Sequence, residues 1–267
     1  MVSEGSNLFS LKAKVVLVTG ATGYLGRAMS FAIAEAGAHV LINSRSIERC
    51  DKLVEELRGS GLSAESAVFD VSLEKEVDEF LSAYRTKPID VLVNNAYSGG
   101  GGNVELSNTN SYSESYNCSV IAAHRLLQGL LPSLRLAVKK SGYASVINIA
   151  SMYALVSPDQ RIYNSGAVAN PPFYGASKAA LLQWSRYAAC EFSKELIRVN
   201  SISPGAFPSK AVQSDSPNFI EKLALKVPMG RIGQSSEIQG PVVFLASSAS
   251  SYINGANLVV DGGWTCW

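Results

Sequence analysis

The chain has 267 residues, of which 47% are hydrophobic and 17% charged, and its formal net charge is +1 at pH 7. That length supports a sizeable core, the apolar excess suits an α/β domain with strands covered on both faces, and a near-zero charge without a basic run excludes a nucleic-acid surface. Cys50, Cys118, Cys190 and Cys266 are scattered without a C-x-x-C, and His39 and His124 are the only histidines, so neither a metal site nor a disulfide framework is expected. The opening MVSEGSNLFSLKAK has no apolar signal region, and no apolar run reaches the roughly 18 residues of a membrane span. A cytoplasmic protein without membrane contact is the expectation.

In chain order, KVVLVTG at 14–20 predicts a first strand and the residues from about Tyr24 to Ala36 a first helix. HVLIN at 39–43 is the next strand, and SIERCDKLVEEL follows as an amphipathic helix with Leu53, Val54 and Leu57 on one side. AESAVFD (64–70), DVLVNNA (90–96) and SVINIAS (145–151) repeat the strand pattern, with helices near 73–85 and 111–138 between them. A helix beginning near Tyr174, the strand IRVNSISPG, helices around 217–225 and 235–247, and the strand NLVVDGG complete the chain. Alternation of this kind predicts right-handed crossovers and a doubly wound parallel sheet of about seven strands in one domain spanning 1–267. The glycine-rich YSGGGGN at 97–103 is expected as a loop directly after a strand, not as a boundary.

TGATGYLG at 19–26 joins the first strand to the first helix, the setting of a dinucleotide-binding loop. Gly20 permits a tight turn, Gly23 lets backbone N–H groups approach a pyrophosphate, and Gly26 allows the helix to pack closely on the sheet. At the end of the second strand, NSRS (43–46) offers no carboxylate for a ribose 2′-hydroxyl. Arg45 is instead suited to a 2′-phosphate, to which a guanidinium donates two hydrogen bonds, and this points to NADP(H).

The segment FYGASKAALLQW (173–184) places Tyr174 and Lys178 four residues apart at the start of a helix. Four residues advance about 400° and about 6 Å, so the two side chains share a face. A free phenol has a pKa near 10, and at neutral pH its anion is about a thousandfold too rare to act as a base. A neighbouring ammonium and an oxidised nicotinamide ring favour the anion, and a shift of about three units corresponds to about 4 kcal/mol. Ser151 ends the fifth strand at the sheet edge where such folds bind ligands, and its hydroxyl can hold a carbonyl or alcohol oxygen.

Together these motifs resemble the short-chain dehydrogenases/reductases over essentially the whole chain: TGATGYLG, FDV at 69–71, NNA at 94–96, the Ser151 strand end, YGASK at 174–178, SPGAF at 203–207 and the closing NGANLVVDGG. The resemblance implies a Rossmann fold in which Tyr174 is the catalytic acid/base, Lys178 its electrostatic partner and Ser151 the group orienting the substrate oxygen. It further implies that Gly20, Thr22, Gly23, Tyr24 and Leu25 cradle the cofactor's phosphates, with Ser44 and Arg45 at its 2′-phosphate. Asp70 and Val71 would border the adenine, Asn94 and Ala96 the adenosine ribose, and Pro204, Gly205 and Phe207 the nicotinamide carboxamide, with Tyr174 and Lys178 also touching the cofactor.

Four positions depart from the family pattern. Tyr24 stands where the commonest family loop has glycine, while Gly23 gives the spacing of the family's longer members; the closing strand argues for the shorter architecture. Tyr97 replaces the glycine of NNAG, where its ring either lines the nicotinamide pocket or packs on the glycine loop. Ser119 falls where many members keep a water-holding asparagine, and Asn117 lies two residues earlier, about 200° round the helix. A proton path through Ser119 and water, or by another route, stays open. Finally, 23 positions separate Ser151 from Tyr174, about ten more than in family members commonly, and the extra chain lies at about 157–172.

That insertion is expected over the active site, where Asp159, Arg161, Tyr163 and Asn164 suit a hydroxyl-rich or anionic substrate, or Arg161 pairs with Asp159 instead. Its polar, proline- and glycine-interrupted sequence predicts a segment that orders only against ligand. The activity implied is an NADP(H)-dependent interconversion of a secondary alcohol and a ketone on a small polar, sugar-like molecule, with weaker similarity to gluconate 5-dehydrogenase-like and sugar-modifying reductases. The alternatives are a cofactor-retaining isomerase or dehydratase and a non-catalytic NADP(H) sensor. Apolar residues on several sides of the helices near 111–138 and 174–195, with the resemblance, imply a homodimer or homotetramer.

Overall fold

Val16, Leu17 and Val18 are completely buried, and their alternation sets the layering of the molecule. Val16 and Val18 point into one apolar core and Leu17 into a second on the opposite face, as the two-residue period of a strand requires. In the computed structural model, which describes residues 8–267, this strand is β1 (Val15–Val18), inside a seven-stranded sheet. The other strands are β2 (His39–Ser44), β3 (Ser63–Val68), β4 (Val91–Asn94), β5 (Ala144–Ile149), β6 (Ile197–Pro204) and β7 (Asn257–Val260). All neighbours pair in parallel in the order β3-β2-β1-β4-β5-β6-β7.

The first core packs α1 (Tyr24–Glu35), α2 (Ile47–Gly59) and α9 (Gln239–Ala246) on the sheet through Met29, Ile33, Leu53, Leu57, Val242 and Leu245. The second packs α3 (Glu74–Tyr84), α5 (Ala122–Ser141) and α6 (Pro172–Phe192) through Val77, Leu126, Leu130, Leu134 and Ala188. The order reverses between β1 and β4, so the loops leaving their C-terminal ends diverge and open a crevice, the place where doubly wound sheets bind ligands.

Three elements differ from the sequence reading. The helix expected at 111–138 is α4 (Thr109–Tyr116) joined to α5 through a π turn at Asn117–Ile121. The helix expected at 235–247 begins as a 3₁₀ turn, Ser235–Ile238, before α9. A short helix α7 (Lys210–Asp215) precedes α8 (Pro217–Lys226), and no strong periodicity in its six residues announced it. Among the described residues no helix is long and apolar enough to cross a membrane, no cluster of metal-ligating side chains occurs, and the four cysteines are unpaired.

The closeness of α1 to the sheet depends on Gly26, where an added Cβ would lie 2.2 Å from the Gly20 carbonyl oxygen and 2.9 Å from Ala21 Cα. Backbone on both sides has no rotamer to yield. Gly26→Ala is therefore expected to lower stability by roughly 1–3 kcal/mol, the cost of overpacking, measured as a fall in the denaturant midpoint at unchanged slope.

Candidate active site

Three polar side chains hold the turn between β1 and α1. The Thr19 hydroxyl donates to the Val93 carbonyl and accepts from the N–H groups of Asn95 and Ala96. The Asn95 amide donates to the carbonyls of Thr19 and Gly20, and the Asn43 amide donates to Ala67 and Phe69 while its oxygen accepts from Gly20 N–H. Gly20 itself has φ +60°, the left-handed region that favours glycine. Gly23 caps α1 without a side-chain oxygen, which leaves first-turn N–H groups for a ligand's phosphate oxygens.

A cavity of about 770 Å³ lies along these ends, lined by Gly20, Thr22, Gly23, Tyr24, Leu25, Ser44, Arg45, Asp70, Val71 and Ala96. The expected phosphate loop, second-strand end and adenine wall thus meet in one crevice of dinucleotide size. A Cβ at Gly20 would stand 2.8 Å from Ala96 Cα, so the crevice floor requires glycine there. Arg45 is two-thirds exposed and within 3.7 Å of the Asp70 carboxylate, a loose pairing that a phosphate dianion would outcompete. Arg49, one turn into α2, lines the same corner. The sequence reading missed it, although its spacing of four residues from Arg45 was the available signal. Ser44 reaches Ser46 with its hydroxyl, fixing the bend of NSRS.

Not every expected cofactor contact faces the crevice. Asn94 is buried and donates its amide to Asn148 at 2.8 Å, within the sheet. Gly205 is packed against β7, where a Cβ would come within 2.5 Å of Asp261 Cα, and Pro204 closes β6. Phe207 lies against Gly233 in a second cavity of about 470 Å³ beside Asp261 and Gly262. Asn117, in the π turn, lines the main crevice and donates its amide to Ser72.

The trio of Ser151, Tyr174 and Lys178 does converge. Ser151 sits just beyond β5, buried, its hydroxyl accepting from Tyr153 N–H. Burial pushes the Tyr174 phenol up, and the Ser151 hydroxyl opposes this only in part. Lys178, 3% exposed, carries its ammonium 5.8 Å from the Tyr174 ring centroid and donates at 2.7 Å to the Ile149 carbonyl. Desolvation pulls the amine down to about 8, against a slight upward pull from the Cys118 thiol. Ser119 donates its hydroxyl to the Ser115 carbonyl at 2.6 Å and borders a water-sized void of about 10 Å³ behind Lys178, into whose wall Asn94 also enters.

The insertion is anchored by its own apolar residues, contrary to the expectation of a segment ordered only by ligand. Ile162 and Ala169 are 3% and 1% exposed, Tyr163 packs on Phe219 of α8, and 3₁₀ turns form at Gln160–Ile162 and Gly166–Val168. Isolated apolar residues in a polar stretch gave no periodic signal, yet Ile162, with Tyr163 packed beside it, joins a small core with Met152, Tyr153, Leu223 and Trp264. Arg161 is exposed and grips Asp159 with two hydrogen bonds of 2.9 and 2.8 Å, the pairing left open above, while Lys226 of α8 reaches the same carboxylate.

A turn with free first-turn N–H groups at the switch point of a parallel sheet, with Ser151, Tyr174 and Lys178 brought together beyond β5, is the arrangement of a dinucleotide-dependent oxidoreductase. The family model described as enoyl-(acyl carrier protein) reductase matches residues 20–265, and the chain belongs to this family, within the short-chain dehydrogenases/reductases. A tropinone reductase homolog of Arabidopsis thaliana is 34% identical, over 98% of this chain and 96% of its own. The structure of a gluconate 5-dehydrogenase from Burkholderia cenocepacia, in complex with NADP and tartrate, superposes with a TM-score of 0.85 at 27% identity, covering 97% of this chain and 98% of that one. L-Sorbose reductase from Gluconobacter frateurii, complexed with NADPH and L-sorbose, superposes with a TM-score of 0.84 at 27% identity and the same coverage of 97% and 98%.

Lys178 makes stability depend on pH in a predictable direction. Its amine titrates near 10.5 when unfolded and near 8 when folded. Between those values the unfolded chain binds the extra proton, so stability contributed through this side chain rises with pH across that window. Relative to Lys178→Met, the wild type is expected to gain on the order of 3 kcal/mol from pH 8 to pH 10.5, measured by urea unfolding of both proteins at each pH.

Proposed function

We propose that the protein is a single-domain NADP(H)-dependent reductase of a small, polar, sugar-like ketone, running the reverse alcohol oxidation through the same groups. The observation that carries this reading is the convergence of the half-buried Tyr174 phenol, the buried Ser151 hydroxyl that acts on it, and the buried Lys178 ammonium one helical turn away. NADPH, when bound, supplies the hydride for the carbonyl carbon. Ser151 holds the substrate oxygen, and Tyr174, kept protonated by its burial, delivers the proton to that oxygen. Lys178 stabilises the phenolate left behind. Gly20, Gly23 and the first turn of α1 would hold the pyrophosphate, and Arg45 and Arg49 the 2′-phosphate.

The gluconate and sorbose enzymes among the structural relatives support a polyhydroxylated substrate, while the family description directs attention to acyl thioesters. A panel of keto-sugars, keto-acids and 3-oxoacyl thioesters with NADPH, read at the reduced-nicotinamide band, separates them; turnover of a thioester with none of a keto-sugar would replace the substrate part of the proposal. Four unpaired cysteines accord with a reducing, cytoplasmic setting.

Tyr174→Phe should lower turnover by roughly a hundredfold or more at nearly unchanged NADPH affinity, the signature of a lost general acid. Near-normal turnover would refute the mechanism. Arg45→Asp should weaken NADPH and favour NADH, because a carboxylate repels the 2′-phosphate and accepts from a free hydroxyl; an unchanged ratio of kcat/KM for the two cofactors would remove Arg45 from recognition. The same reading includes self-association, supported by the exposed Tyr112, Tyr116, Ile121 and Tyr187 along α4, the π turn and α6. Sedimentation at micromolar concentration should show a dimer or tetramer, and a monomer would contradict it.

A further inference from the structure

Tyr97 follows Asn94–Asn95–Ala96 at the end of β4, where the family pattern has glycine, and the structure shows what its side chain does. Its ring stands edge-on to the Tyr174 ring, with centroids 4.8 Å apart and planes at 73°. The Lys178 ammonium lies 5.2 Å from the Tyr97 ring centroid, nearer than to the ring of Tyr174. The hydroxyl is not free to swing: it hydrogen-bonds Ser115 at 3.0 Å, and Ser115, 1% exposed, is itself tied to Ser177 at 2.8 Å and to the Phe173 carbonyl at 3.2 Å. A ring placed by chance on a glycine-rich loop would lack this anchorage to α4 and, through Ser115, to α6.

We propose that Tyr97 is a positioning residue for the reaction, its anchored ring bracing Tyr174 edge-on and presenting a π face that keeps Lys178 in its ammonium form. The proposal rests on the functional reading above and assigns a role that no glycine could fill.

The physical need is evident from the company Lys178 keeps. Among the described residues, the groups facing its ammonium are Tyr174 on its own helix, Tyr97 after β4, the Cys118 thiol of the π turn and the Ile149 carbonyl of β5. None is a carboxylate. A buried ammonium with one carbonyl partner favours losing its proton, and an aromatic face within about 6 Å opposes that loss through its quadrupole, most strongly when water is excluded. Ser119, at the position of the family's asparagine, spends its hydroxyl proton on Ser115. The edge contact adds a second effect, since a T-shaped pair resists rotation of the Tyr174 ring away from the substrate oxygen.

The test reads Lys178 directly. Protein carrying ¹³C at the lysine ε carbons is titrated by NMR without substrate or cofactor, the Lys178 signal being assigned from the spectrum of Lys178→Arg. Tyr97→Leu should lower the midpoint by roughly 0.5 to 1 pH unit, a three- to tenfold change in the ionisation constant, and Tyr97→Phe should hold it near the wild-type value. Pentafluorophenylalanine at position 97 keeps the ring's shape while reversing its quadrupole, so its midpoint should fall with that of leucine even if the leucine variant fails to fold. In kinetics, the alkaline limb of ketone reduction should move down by the same interval in the variants whose midpoints fall. A ring that serves only as packing would lower turnover at every pH and leave the midpoint where it was. An unmoved midpoint in both the leucine and the fluorinated protein, with ketone reduction measurable in the wild type, overturns this proposal alone. A shifted midpoint in a protein that reduces no ketone with NADPH overturns the reaction assigned above and leaves the Tyr97–Lys178 contact established.

Discussion

An ammonium shut away from water is the constraint around which the site is built. Lys178 is 3% exposed, and a charge so placed is costly unless its surroundings replace part of its hydration. The Ile149 carbonyl replaces one hydrogen bond, and the faces of Tyr97 and Tyr174 supply diffuse negative potential. What remains uncompensated appears as the lowered affinity of the amine for its proton. The same desolvation acts on Tyr174 in the opposite sense, favouring the neutral phenol. One desolvated grouping thus favours the neutral phenol of Tyr174 and the neutral amine of Lys178, and their titrations, which start close together at the ordinary values, are pushed apart, the phenol up and the amine down.

The pocket is dry because of the sheet. β5 carries Ile149 and leads into Ser151, α6 packs along β6, and the apolar cores hold these elements together with a few buried hydrogen bonds, such as that from the Asn148 amide to Ser185 of α6. At the crevice's other end the logic is reversed, because there the backbone itself is the ligand-binding surface. Thr19, Asn43 and Asn95 spend their hydrogen bonds on backbone groups of the turn, so the loop is rigid before any phosphate arrives. A preformed loop pays no ordering cost on binding.

The parallel sheet of about seven strands, the glycine turn after β1 and the nearness of Tyr174 to Lys178 were legible in the sequence because each has a local signature: apolar runs buried on both faces, glycines at the required spacing, and two side chains one helical turn apart. The missing pieces are those fixed by tertiary contact. Asn94 lies in a recognisable motif, yet its amide turns inward to Asn148, a partner 54 residues away. Arg49 reaches the crevice beside Arg45 because α2 starts there. The insertion read as polar by composition, but Ile162 and Tyr163 find apolar neighbours on α8 and after β5 that no local window contains. The π turn at Asn117–Ile121 is likewise invisible to a helical period, since one extra residue within a helix barely disturbs it.

Anchorage of the insertion changes what substrate selection can mean here. Tyr153 follows Ser151 by two residues, and its hydroxyl lies 3.3 Å from that of Tyr163, so the insertion is joined to the strand end that carries Ser151. On its outer side Asp159 meets Lys226, and Tyr163 meets Phe219, both on α8. The glycine-rich loop closes the third side, with Gly102 N–H donating to the Ala169 carbonyl and a Cβ at Gly101 coming within 2.9 Å of the Ala167 oxygen. A segment held on three sides acts as a wall whose shape exists before substrate arrives. A preformed wall discriminates by the polar groups it leaves unpaired, and in this one the hydroxyls of Tyr153 and Tyr163 pair with each other while Arg161, exposed at the rim, pairs with Asp159.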